Sequence, residues 1–397
     1  MRNVKSLFWG AGIATMLLGS CSANQNAQTT VSGLRPADFD STINGKKTEL
    51  VTLKNKNGME VCLTNYGGRV VSVSVPDRNN KLTDVVLGYD NIRQYADTLN
   101  SPSDFGSSVG RYANRIKNAK LVVDGKTYKL RANDHGNCLH GGGNTGWPNQ
   151  IYSIKSQTDS SVVFALTAPD GENGFPGTVK ATATYTVKSN NTLDIVFQAV
   201  TNKETVINMT NHSYFNLNGD PSKVGTDQIL YINADRFTPA DKNYITTGEI
   251  KSVAGTPMDF RKPHVIQKTI VDTTFDQIKY AGGYDQNWCL NTFKNGKGDD
   301  KTVAASLYSP KTGILLQVYT NEPGIQVYTG NFQGTGIPCK HGIKYPKHVS
   351  VCMESQKYPD SPTKITEKTK GWEFSNPYLK PGQKYYSHLA FKFSVKK

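Results

Sequence analysis

Apolar and polar residues alternate along most of this chain with a period of two, in short runs separated by turn residues, which is the pattern of half-buried β-strands. Val61-Cys62-Leu63-Thr64 is one such run, and Val70 to Val75 is another, closed by Pro76-Asp77. Leu121-Val122-Val123 and Thr127-Tyr128-Lys129-Leu130 flank Asp124-Gly125, a two-residue turn that predicts a hairpin. Val162 to Leu166, Val179 to Val187 and Leu193 to Val200 repeat the pattern, the last two joined through Ser189-Asn190-Asn191. Ile314 to Thr320, Ile325 to Tyr328 and Leu389 to Val395 continue it towards the C-terminus. Stretches with a 3.6-residue apolar period are scarce, Asp90 to Ala96 being one of few plausible helical turns, and no repeat of fixed length is evident. The sum predicts an all-β protein, a large antiparallel β-sandwich in one domain.

The first residues follow a different rule. Arg2 and Lys5 give a positive start, Leu7 to Leu18 is apolar but too short to span a bilayer, and Leu18-Gly19-Ser20-Cys21 places small residues before a cysteine. This resembles the lipobox of bacterial lipoproteins, which implies a signal peptide over residues 1–20, acylation of Cys21 and a cell-envelope location with the membrane reached through the lipid alone. Residues 21–47 are polar and poor in large apolar side chains, so they are expected to be a flexible linker, with the folded domain at 48–397.

Composition narrows the function classes. The net charge is +14, yet 10 arginines stand against 36 lysines scattered through strands and turns, so the basic balance reads as a solvated surface and not as a nucleic-acid face. After Cys21, the remaining cysteines are Cys62, Cys138, Cys289, Cys339 and Cys352, an odd number without a CxxC spacing, which argues against a disulfide framework and a structural zinc site. Cys138 and His140 are close, but a metal would need two further ligands, and no metal is expected.

The polar residues with chemical potential cluster in a few segments. Thr210-Asn211-His212-Ser213-Tyr214-Phe215-Asn216-Leu217 sets one imidazole among amides, hydroxyls and rings, a setting suited to proton transfer beside the apolar face of a pyranose. Gly110-Arg111-Tyr112-Ala113-Asn114-Arg115-Ile116 pairs an amide with a guanidinium, both good partners for vicinal hydroxyls. Asn137-Cys138-Leu139-His140-Gly141-Gly142 adds a second imidazole, and Asp170-Gly171-Glu172-Asn173-Gly174-Phe175-Pro176-Gly177 reads as a surface turn. Gly282-Gly283-Tyr284-Asp285-Gln286-Asn287-Trp288 and Cys352-Met353-Glu354-Ser355-Gln356-Lys357-Tyr358-Pro359-Asp360 each carry a carboxylate.

In this order and at these separations the segments resemble the aldose 1-epimerase (galactose mutarotase) family. The likeness extends to Tyr66-Gly67-Gly68, Leu87-Gly88-Tyr89, Gly255 to Phe260 and Leu379-Lys380-Pro381-Gly382, and so covers nearly the whole globule from Glu49 onward. It implies the mutarotase supersandwich and interconversion of the α and β anomers of free aldohexoses, with no cofactor. The family's general base falls on Glu354, its general acid on His212 and a second active-site imidazole on His140. Contacts to sugar hydroxyls fall on Asn114, Arg115, Asp285 and Gln326. Thr246, Lys357, Tyr358 and Thr363 depart from the family pattern; Thr363 and the Lys357-Tyr358 pair lie near the presumed base, which puts sugar preference in question.

Opening a pyranose takes a proton from the anomeric hydroxyl and gives one to the ring oxygen, and a carboxylate with an imidazolium does both. Two other classes use similar residues. A non-catalytic sugar-binding lipoprotein has no need of Glu354, His212 and His140 together. A glycoside hydrolase needs two carboxylates about the scissile bond, for which Asp285 and Glu354 are candidates, and a sugar-phosphate mutarotase is expected to carry an added arginine cluster.

Overall fold

The computed structural model describes residues 29–396; the signal peptide and the acylation expected at Cys21 lie outside the described residues. Two antiparallel sheets dominate. The larger has nine strands in the order Ser153–Gln157, Ser161–Ala168, Val179–Lys188, Thr192–Thr201, Tyr385–Val395, Ile314–Thr320, Ala305–Tyr308, Ile229–Ile232 and His264–Val265. The other has six, in the order Tyr214–Phe215, Val351–Gln356, Gly324–Tyr328, Asp285–Cys289, Arg236–Thr238 and Lys251–Ser252. A four-stranded sheet of Leu50–Lys54, Glu60–Thr64, Arg69–Pro76 and Leu82–Asp84 adds to the same core.

Strand periodicity explains how the core closes. Val179–Lys188 alternates buried and less buried positions along its length, and it joins Thr192–Thr201 through a turn in which Asn191 takes a left-handed φ of 58°. The expected Asp124-Gly125 hairpin forms with both residues at positive φ, 48° and 71°, the conformation whose twist matches paired strands. One cluster gathers Phe197, Leu389 and Phe391 from the large sheet with Trp288, Val327 and Met353 from the six-stranded one, so the two sheets face each other across it. On the Val351–Gln356 strand, Val351 and Met353 enter that core while Cys352 packs in a second cluster with Tyr89, Phe105, Tyr214 and Tyr328. Glu354 shares the face of Cys352 because strand side chains alternate. The site is therefore built on the outer face of the six-stranded sheet.

Within the range 21–47 expected to be a linker, the described residues are packed. From Thr30 the chain is already part of the globule: Leu34 and Phe39 are buried, Val31 donates to Glu60 Oε1 at 2.7 Å, and Ser41–Ile43 pairs with Lys46–Thr48. Two apolar side chains suffice to pin this segment because a groove of the second cluster, containing Tyr95 and Ile92, receives them. The short helix near Asp90 forms over Ile92–Ala96, capped by Asn91, which accepts from Gln94 N–H. Cys62, Cys138, Cys289, Cys339 and Cys352 are free and buried. Among the described residues no helix is long and apolar enough to cross a membrane.

Candidate active site

Three successive strands carry the floor of the site. Gln326 lies opposite Glu354 on one side and opposite Asn287 on the other, and Asp285 pairs with Tyr328, so antiparallel register sets Glu354, Gln326 and Asp285 side by side. Gln326 Nε2 donates to Asp285 Oδ1 at 2.8 Å, which orients that carboxylate. Glu354 Oε2 and Gln326 Oε1 are buried without a protein partner.

The imidazoles come from loops held against this floor. Thr210–Asn211 pairs with Ser108–Val109, and just beyond it His212 stacks on Tyr214 with ring centroids 4.8 Å apart and planes 15° from parallel. His212 Nε2 then lies 3.4 Å from Glu354 Oε1, and its Nδ1 is buried and unpaired. His140 meets the His212 ring edge-on at 5.5 Å. Its loop lies flush on the Gly110 segment, since a Cβ on Gly141 would collide with the Gly110 carbonyl. Asn114 N–H donates to His140 Nδ1 at 3.2 Å, and His140 N–H returns a bond to the Asn114 carbonyl at 3.1 Å. An Nδ1 that accepts carries no proton, so the neutral ring bears its proton on Nε2.

Arg115 lines the same cavity. Its Nε donates to Asp134 Oδ2 at 2.7 Å, and the guanidinium lies over the Tyr244 ring at 4.7 Å. Arg111, in the same segment, is structural: it is buried and donates to the Pro176 and Gly177 carbonyls at 2.9 Å each, which explains why the turn at Asp170 to Gly177 accompanies it.

These elements enclose a cavity of about 350 Å³, and Asn114, Arg115, His140, His212, Asp285, Gln326 and Glu354 all line it. Burial sets its electrostatics. It pushes the Glu354 carboxyl well above the usual carboxylate range, with the Asp285 and Asp104 charges adding to the effect. It raises Asp285 as well, against the pull of Arg115 and the Gln326 hydrogen bond. It lowers His212 to about 4 and His140 below its ordinary value, while the carboxylate of Asp104 opposes both shifts. Glu354 and His212 thus form a desolvated pair poised to share one proton.

Two positions change the sequence-based picture. Lys357 and Tyr358 do not reach the cavity: Lys357 Nζ pairs with Glu322 Oε2 at 2.7 Å and the Tyr358 ring packs edge-on against Trp372. They bear on stability and not on the sugar, because the chain turns away from the site after the strand ends at Gln356. Asp104 was not foreseen, yet it lines the cavity beside both imidazoles. Ser101-Pro102-Ser103-Asp104 has the look of a surface turn, and no spacing links it to His140 or His212.

One atom from each of Asp104, His140 and His212 lies within 4.8 Å of the others, a spacing open to a cation. The hydrogen bonding opposes that use. With Nδ1 engaged by Asn114 and the proton on Nε2, His140 has no free lone pair for a metal.

The aldose 1-epimerase family model matches residues 49–392. A galactose mutarotase from Bos taurus is 37% identical over 337 residues, covering 85% of this chain and 92% of that protein. An aldose 1-epimerase from Escherichia coli is 36% identical over 349 residues, covering 88% and 96%. Among solved structures, a galactose 1-epimerase from Lactobacillus acidophilus superposes with a TM-score of 0.75 at 28% identity over 90% of this chain and 97% of that one. An aldose epimerase homologue from C. elegans gives 0.77 at 28% identity, over 88% of this chain and 100% of that one. With the family model matching residues 49–392 and relatives 36–37% identical over most of the chain, this chain belongs to the aldose 1-epimerase family.

Proposed function

We propose that the protein interconverts the α and β anomers of free aldohexoses, with Glu354 as general base and His212 as general acid. The observation that carries this reading is the 3.4 Å approach of Glu354 Oε1 to His212 Nε2 inside a cavity where both are buried. Glu354 takes the proton of the anomeric hydroxyl as His212 gives one to the ring oxygen, and the bond from C1 to the ring oxygen breaks. The open-chain aldehyde turns about C1–C2 and recloses on its other face by the reverse transfers, which restores both groups. Arg115, Asp285 and Gln326, which line the same cavity, hold hydroxyls other than the one at C1 so that the reacting carbon keeps its freedom. His140, donating through Nε2, supports an oxygen near His212.

Polarimetry of freshly dissolved α-D-glucose and α-D-galactose tests the activity directly. Accelerated mutarotation with the wild-type protein and loss in Glu354→Gln supports the reading; no acceleration with folded protein overturns it. A hydrolytic reading is disfavoured by the site itself, since Glu354 faces an imidazole and Asp285 is tied to Gln326. Release of monosaccharide from a disaccharide would reverse that judgement.

A lipid-anchored, cell-envelope location is part of the same proposal. It is supported by the positive start, the short apolar run and the small residues before Cys21. In the envelope the enzyme would equilibrate anomers of sugars released by extracellular glycan breakdown. Metabolic labelling with a fatty acid, lost in Cys21→Ala, tests it; an unprocessed chain in the cytosol would overturn it.

A further inference from the structure

Resting on the epimerase reading, we propose that Asp104, with His140 and His212, forms a subsite for the primary hydroxyl at C6 of an aldohexopyranose. The protein then selects hexoses with a free 6-hydroxyl over pentoses, 6-deoxy sugars and sugars substituted at O6.

Asp104, His140 and His212 converge on one point of the cavity. Three atoms no more than 4.8 Å apart share a point at most about 2.8 Å from each, the length of a hydrogen bond. The groups around that point specify what fits. Asp104 offers only lone pairs, His140 offers the proton on Nε2 because Asn114 occupies its Nδ1, and His212 offers an N–H when it holds the proton it shares with Glu354. An oxygen that donates once and accepts twice satisfies all three, and a hydroxyl does this. A ring oxygen does not, since it has no proton for the carboxylate, and a metal is excluded by the His140 tautomer.

Ring chemistry then identifies the hydroxyl. The ring oxygen is bonded to C1 and C5 only. Glu354 attends the C1 hydroxyl, and His212 faces the ring oxygen. The other polar substituent next to the ring oxygen is the hydroxymethyl group on C5. A carboxylate set beside His212 and His140 therefore meets O6.

Asp104 is held in register with the acid. Gly106 N–H donates to the His212 carbonyl at 2.9 Å, and His212 N–H donates to the Ser107 carbonyl at 3.0 Å. Phe105 is clamped edge-on by Tyr89 at 5.3 Å and Tyr214 at 4.8 Å. Ser107 Oγ bonds the backbone carbonyl of Asp104, at 3.1 Å, which leaves the carboxylate facing the cavity. The loop thus presents one acidic group to the sugar and fixes it to the backbone of the residue that protonates the ring.

The test compares D-galactose with 6-deoxy-D-galactose, and D-glucose with D-xylose, in wild type and in Asp104→Ala and Asp104→Asn. The wild type is expected to prefer each hexose roughly tenfold to hundredfold in kcat/KM, the range of one hydrogen bond to a charged group. Asp104→Ala should collapse both ratios towards one, and Asp104→Asn, which keeps an acceptor, should retain part of the preference. Equal losses on the hexose and its analogue would overturn the subsite, because an effect through the imidazoles or the fold does not distinguish the two sugars. Unchanged ratios would overturn it too. Calorimetric binding of the same sugars to Glu354→Gln reads the preference without turnover. A 6-hydroxyl preference there, with no mutarotation by wild type, would sink the epimerase reading and leave the subsite standing.

Discussion

His212 and Glu354 meet at 3.4 Å with side chains only 7% and 2% exposed, so the imidazole and carboxylate proposed to open the ring are desolvated together and face each other. Removing the carboxylate charge while keeping its shape should lower kcat by about 10²–10⁴-fold, the usual worth of a positioned acid–base group. Sugar affinity in Glu354→Gln should stay close to wild type, because Arg115, Asp285 and Gln326 are untouched. Polarimetry and calorimetry on the same preparation check the two halves of this expectation.

The same pair sets the pH profile. One shared proton is the active form; a second proton disables the base and loss of the only one disables the acid. Burial raises Glu354 and lowers His212 to about 4, so the second proton binds only near that pH and activity should persist far into the acid range. In kcat/KM against pH the acid limb of the wild type is expected near 4. An acid limb at the ordinary histidine value near 6.5 would contradict the assigned pair.

Lys357 pairs at 2.7 Å with Glu322, whose side chain is 1% exposed. Lys357→Ala strands a buried carboxylate and should destabilise the protein by about 3–5 kcal/mol. The ratio of glucose to galactose turnover should not change, since Lys357 lies off the cavity. Urea denaturation and steady-state kinetics separate the two effects.

Phe39 is fully buried in the cluster that also holds Phe105 and Tyr214. Phe39→Ala is expected to lower stability by about 3–5 kcal/mol, typical of emptying an aromatic site. A residue in a flexible tether would show no such loss in chemical denaturation.

On the large sheet His388 is held between Asp194 at 2.9 Å and Asp300 at 2.7 Å, and the hydrogen bond to Asp194 raises its pKa. A raised folded-state value means stability that is fully present below the unfolded pKa and lost as pH rises through the folded one. The melting temperature should therefore fall from about pH 6 upward through the raised value, and less so in His388→Gln. A wild type and variant with parallel profiles would remove His388 as the cause.

The strands were legible because one face of each is buried in a common core, which imposes a period of two on Val179–Lys188, Thr192–Thr201 and Ile314–Thr320 alike. The motif residues were legible for another reason. Glu354, His212, His140 and Asp285 sit in segments whose neighbours also shape the backbone, such as Gly141 against Gly110 and Arg111 against Pro176, so chemistry and fold leave one local signature. Asp104 has no such signature, because a serine- and proline-rich turn ending in aspartate looks the same whether it faces water or a cavity. Residues 30–47 misled for the converse reason: their composition is polar, and only the groove that receives Leu34 and Phe39 makes them part of the globule.

Sequence by itself thus determined the all-β class and the strand periods, which depend on local pattern, and through its resemblance to the family it pointed to Glu354 and His212 as the pair to look for. Tertiary structure decided what those residues face. The 3.4 Å pairing of Glu354 with His212, the proton placed on His140 Nε2, the removal of Lys357 to Glu322 and the entry of Asp104 beside the imidazoles each join segments far apart in the chain. Such contacts are set by sheet register and loop packing, and linear spacing carries no record of them.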